Sequence, residues 1–114
     1  MDALQMSLLL DYYGDLLTEH QRTCLDLKYN QDLSLSEIAE ELSVSRQGVH
    51  DTLARAEALM EKMEEKTGVI RRDRRLRQAL SAIEEAAKQL SEKDDPSTRA
   101  LAGAILEQVG NVKE

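Results

Sequence analysis

The chain has no tryptophan and no phenylalanine, and its 114 residues include only three tyrosines, one proline, one cysteine and five glycines. Without large apolar rings the core must be built from Leu, Ile, Val, Ala and Met, a composition that suits helices better than sheets. A single cysteine excludes an internal disulfide. No apolar stretch approaches the roughly 18 residues that a membrane-crossing helix requires. The chain start lacks the basic region and apolar run of a secretory leader, so a soluble, cytoplasmic protein is expected. Chemistry is equally sparse: there is no glycine-rich phosphate loop, no Ser or Cys nucleophile beside a plausible His, and no carboxylate pair in an apolar setting. Neither enzymatic activity nor a cofactor is expected. His20 and Cys24 stand four residues apart, a spacing that can hold a metal, but a structural zinc takes about four ligands and no second cysteine exists. The pair reads as a core thiol beside an exposed histidine.

Charge, in contrast, is plentiful, at 32% of residues with a net of -7. It is unevenly spread: residues 1–33 carry -4, 34–68 carry -4, 69–93 carry +3 and 94–114 carry -2. A nucleic-acid binder concentrates Lys and Arg, because neutralising phosphates releases counterions and supplies most of the non-specific affinity. Only the third segment meets that expectation. The length is that of one ordinary domain and leaves no room for a separate catalytic one.

The apolar residues Leu4, Leu8 and Tyr12, flanked by Leu9 and Tyr13, predict a helix over 3–13 that stops at Gly14, a residue suited to a left-handed C-terminal position. Thr18 with Gln21 forms a capping-box pattern that opens a second helix running to about Tyr29, and Asn30-Gln31-Asp32 breaks it. Ser34 and Glu37 repeat that pattern, with Leu33 and Ile38 as a hydrophobic staple, and Ser45 then caps a long fourth helix ending at Gly68. Val49, Leu53, Ala56, Met60 and Met63 make one heptad seam along it. Leu76, Leu80, Ile83, Ala87 and Leu90 make a second on a helix from about Arg71 to Glu92. Asp95-Pro96 supplies a cap and first-turn proline for a last helix, with Leu101, Ile105 and Val109 as its expected buried stripe.

Two capped helices separated by Ser43-Val44-Ser45 constitute a helix-turn-helix, a unit that can insert the start of its second helix into the major groove. Ile38, Leu42, Val44, Val49 and Leu53 occupy the positions expected to be buried, and Ala39 stands where the helices must approach closely. The Ser45 cap aims Arg46, Gln47 and His50 outward. Arg46 can take guanine bidentately, Gln47 can read adenine, and His50 or Arg55 can hold phosphate. Asp51 opposes this, since a carboxylate near a bound backbone repels phosphate. Arg71, Arg72, Arg74, Arg75 and Arg77 form the one dense basic cluster. It can grip phosphates or an acidic partner, or be neutralised by Glu57, Glu61, Glu64 and Glu65. Its place at a helix start runs against the dipole, which favours anions there.

In Leu9-Leu10-Asp11-Tyr12-Tyr13-Gly14, Leu16-Leu17-Thr18, Asp32-Leu33-Ser34-Leu35, Glu37-Ile38-Ala39-Glu40 and Val44-Ser45-Arg46-Gln47 with Val49 and Asp51, the chain resembles the YlxM family of small bacterial helix-turn-helix proteins. The resemblance covers about the first 70 residues. The middle of the pattern also resembles the promoter-reading region four of sigma factors, in Leu17-Thr18, Gln21, Glu37-Ile38-Ala39, Leu42, Val44-Ser45, Val49, Leu53 and Arg55. The first resemblance implies an association with the signal recognition particle and a regulatory role in protein targeting; the second implies a fold. Two positions depart from the pattern. Ser43 stands where such turns carry Gly, and Gly48 where the family carries Ala, at about 1 kcal/mol of helix propensity.

The reading is therefore an all-α protein of the sigma-region-four type, a winged-helix-like fold without a wing, extended by a C-terminal helical tail. The expected domains are a helix-turn-helix domain over 1–68 and a tail over 69–114 that packs on it or on a second subunit, giving a homodimer. The expected function is nucleic-acid-binding regulation, on DNA or on signal recognition particle RNA. The alternative is an adaptor for signal recognition particle proteins.

Overall fold

A computed structural model of the chain describes residues 2–113, which form six α-helices and one 3-10 turn and contain no strand. The helices are α1 (Ala3–Tyr13), α2 (Glu19–Tyr29), α3 (Leu35–Leu42), α4 (Arg46–Thr67), α5 (Val69–Ser91) and α6 (Pro96–Lys113), with the 3-10 turn Gly14–Leu16 between the first two. Contacts divide the chain into two compact units, Met1–Ile70 and Arg71–Glu114.

Helix starts in the first unit are fixed by side-chain caps. Asp2, Thr18 and Ser34 each accept from the backbone N–H three residues on, while Gln5, Gln21 and Glu37 reach back to the cap N–H, so two free donors are satisfied reciprocally. Ser45 accepts from the Gly48 N–H at 2.9 Å, but Gly48 has no side chain to return the bond. The C-terminus of α4 follows expectation: Gly68 adopts φ 63° and donates its N–H to the Glu64 carbonyl at 2.8 Å. Gly14 does not. It sits at φ -55°, ψ -35° and carries the chain into the 3-10 turn, so its lack of a side chain serves packing: a Cβ there would meet Leu10 Cδ1 at 3.2 Å.

The core of this unit gathers Met6, Leu9 and Tyr13 of α1, Cys24, Leu25 and Leu27 of α2, Ile38 and Ala39 of α3, and Val49, Leu53, Ala56 and Met60 of α4, with Leu17 and Ile70 closing its edges. Helix α4 packs against all three preceding helices. Its heptad seam is buried as expected, with Met63 half-buried. On α1 the buried face is rotated from the predicted stripe. Met6 and Leu9 face inward with Tyr13, whereas Leu4 is 80% exposed, because α1 is apolar on several sides and periodicity alone does not choose among them. Val44 is also exposed, since it follows a left-handed residue that turns it out of the core. Polar bonds tie the unit's ends together: the Tyr13 hydroxyl lies 2.7 Å from Glu64 Oε1 and 2.6 Å from Thr67 Oγ1, and the Ile70 N–H donates to the same Glu64 oxygen at 3.0 Å.

The second unit is a helical hairpin in which α6 returns antiparallel to α5, with Lys113 Nζ 3.6 Å from Glu84 Oε2. Asp95 accepts from the Thr98 N–H at 3.1 Å and so caps α6. Its buried side chains are Ala87, Ala102 and Val109. The expected seams are therefore only partly covered. Leu76, Ile83 and Leu90 on α5 and Leu101 and Ile105 on α6 stay exposed, while the side chains turned inward are the smaller Ala87, Ala102 and Val109. No helix of the described residues is long and apolar enough to cross a membrane.

Candidate nucleic-acid interface

The interface is built from the turn outward. Ser43 takes φ 56°, ψ 44°; its N–H reaches the Glu40 carbonyl at 3.3 Å and the Val44 N–H reaches Ala39 at 3.0 Å. These are the paired bonds of a Schellman motif, so the turn closes with serine in the glycine conformation, at a steric cost of about 1–2 kcal/mol. The chain leaves it extended at Ser45, which caps α4 and fixes where its first turn begins.

That first turn presents Arg46 and Gln47 as exposed side chains, followed one turn later by His50. With Leu35 from the start of α3 they line an open depression of 480 Å³. Among the described residues Arg46 enters no ion pair, and neither does Arg55, which lies exposed further along α4. Gln47 is held differently. Its Nε2 donates to Asp51 Oδ1 at 3.0 Å, and His50 Nδ1 stands 3.5 Å from the same oxygen. Asp51 thus lies against both polar side chains beside it and holds Gln47 in place. Gly48 belongs to the same turn. A Cβ there would approach Ser45 Oγ to 2.9 Å, so the missing methyl, unfavourable for helix propensity, leaves room for the cap.

The structure brings Arg46, Gln47 and His50 together. Arg71, Arg72, Arg74, Arg75 and Arg77 are all exposed at the start of α5 in the second unit, where Arg77 lines a separate depression of 150 Å³ with Leu76, Leu80 and Val112. One participant, Leu35, escaped the sequence reading. Leu35 is visible only when α3 and α4 are placed side by side. The Gln47–Asp51 bond was legible, because residues four apart on a helix are neighbours. Of the residues weighed for metal, Cys24 is fully buried and His20 exposed, with Sγ and Nε2 4.0 Å apart; burial pushes the thiol above its ordinary range.

This geometry matches what comparison finds. Residues 1–99 match the model of the UPF0122 family, described as YlxM / p13 like helix-turn-helix proteins. A UPF0122 protein of Thermoanaerobacter sp. (strain X514) is 40% identical over 109 residues, covering 95% of this chain and 93% of its own. One from Halalkalibacterium halodurans is 40% identical over 111 residues, 97% and 96% of the two chains. A UPF0122 protein of Desulforamulus reducens is 54% identical over 66 residues, 58% of this chain and 56% of its own. With the capped α3–α4 pair, its left-handed turn and a match over most of its length, the chain belongs to the UPF0122 family of YlxM / p13 like helix-turn-helix proteins.

Proposed function

We propose that this protein is a non-enzymatic regulator that binds nucleic acid through the start of α4, with duplex DNA or the structured RNA of the signal recognition particle as ligand. The carrying observation is the convergence of Arg46, Gln47 and His50 on one open depression at a helix start whose position is fixed by Ser45. In this reading Arg46 takes a guanine edge or a phosphate, Gln47 exchanges Asp51 for a base, and His50 and Arg55 hold the backbone. Arg71, Arg72, Arg74, Arg75 and Arg77 add phosphate contacts that carry no sequence information. RNA suits a surface dominated by such contacts, since folded RNA is recognised largely through backbone and shape. The test is binding by the Arg46→Ala/Gln47→Ala double variant to labelled signal recognition particle RNA and to a duplex. A loss of tenfold or more on the preferred ligand with an unchanged circular dichroism spectrum supports the proposal; unchanged affinity rejects this face as the interface.

A second reading is favoured by the net charge of -7 and by the Asp51 carboxylate within the site. Here the helix-turn-helix is an inherited scaffold, and the protein is an adaptor docking a protein of the targeting machinery. Capture of signal recognition particle proteins by wild type and by Arg46→Ala alike, without RNA, selects this reading.

A further inference from the structure

We propose that the helical hairpin of α5 and α6 is a homodimerisation module, in which a second copy lies antiparallel across its exposed apolar face. The hairpin's own buried side chains, Ala87, Ala102 and Val109, are small and make a meagre core for two helices of this length. Its larger apolar residues lie outside. On α5, Leu76, Ile83 and Leu90 are 52%, 46% and 41% exposed, and the intervening Ala79 and Ala86 are exposed too. Leu76, Ala79, Ile83, Ala86 and Leu90 follow each other at three and four residues, a heptad strip of alternating large and small side chains. Two such strips running antiparallel about Ile83 set Ile83 against its own copy and Leu76 against Leu90, with the alanines between them letting the helices approach.

Charge selects the same occupant. Residues 69–80 carry five arginines against Asp73, whereas 81–95 carry Glu84, Glu85, Glu92, Asp94 and Asp95 against Lys88 and Lys93. The hairpin is therefore basic at its open end and acidic at its turn. An antiparallel copy centred near Ile83 lays each basic end along its partner's acidic end, as a two-fold interface requires: the same patch serves both sides. A parallel copy would set like charge on like. The depression at the basic end is lined by Asp73, Arg77 and Lys113 as well as Leu76, Leu80 and Val112, so it offers the partner's turn end both charged and apolar contacts. Part of the arginine cluster then serves assembly, and this claim stands whether or not the helix-turn-helix binds nucleic acid.

The experiment is sedimentation equilibrium of the full chain across a hundredfold concentration range, with two kinds of variant whose helicity is checked by circular dichroism. Wild type should sediment at twice the 12.8 kDa chain mass, and Ile83→Asp at the chain mass. Arg72→Glu/Arg75→Glu/Arg77→Glu should weaken the dimer at least tenfold at low salt. Mixing it with Glu92→Arg/Asp94→Arg should restore association between the two variants. A wild-type monomer at every concentration overturns the proposal, with the face then left to another partner. So does a dimer that survives Ile83→Asp, and one indifferent to charge reversal removes the antiparallel arrangement.

Discussion

At the scale of single residues, backbone strain and burial make the clearest statements. Ser43 holds φ 56° with a Cβ that this region resists, so Ser43→Gly should stabilise the protein by about 1 kcal/mol in urea titration. An unchanged midpoint would mean that the serine is not strained. Three buried or half-buried acids carry raised pKa values: Cys24 by desolvation, Tyr13 by desolvation with Glu64 adding to it, and Tyr29 by desolvation and then its bond to Glu57. Each favours the neutral form more when folded. Their contribution is thus complete below the ordinary values of 9.0 and 10.0 and is lost as pH rises through the folded values. Thermal midpoints should therefore fall above pH 9, and Cys24 should resist thiol reagents until the chain unfolds. Asp51→Asn, which removes a carboxylate from between Gln47 and His50, should tighten nucleic-acid binding severalfold and reduce its salt sensitivity little. Weaker binding would instead make the carboxylate an organiser that the site needs. The shared face of Arg46, Gln47 and His50 was legible because Ser45 fixes the phase of α4. The role of Leu35 was not, since it depends on a neighbouring helix.

Among the elements, boundaries were more legible than faces. Thr18 with Gln21, Ser34 with Glu37, Ser45 and Gly68 mark their helix ends through local backbone bonds, which the sequence specifies within a few residues. Which face turns inward is decided by partners far along the chain. In α1 the apolar residues Leu4, Met6, Leu8, Leu9 and Leu10 leave several candidate faces, and the core selected the one with Met6 and Leu9. In α6 Ala102 is buried and Leu101 exposed, so a pattern weighted by hydrophobic size points to the wrong side. The caps make a quantitative prediction: Ser34→Ala and Ser45→Ala should each cost about 1 kcal/mol in urea titration. Ser45→Ala should also weaken nucleic-acid binding, because it loosens the turn that carries Arg46 and Gln47, whereas Ser34→Ala should weaken it less.

For the whole molecule, net charge hides a segregation that matters more than its sum. The helix-turn-helix unit is acidic overall and presents Arg46 at the start of α4, while the arginines of α5 open a second unit of different composition. Binding by such a chain depends on a few well-placed cations against long-range repulsion, so salt acts on both. The α4 start is proposed as a nucleic-acid reader. Its most direct test is a parallel titration of wild-type protein against labelled signal recognition particle RNA and a random duplex of equal length, at about 50 and 200 mM salt. Saturable binding that prefers one of the two and weakens at the higher salt is the expected result. Absence of binding to either at the lower salt would contradict it and leave the adaptor.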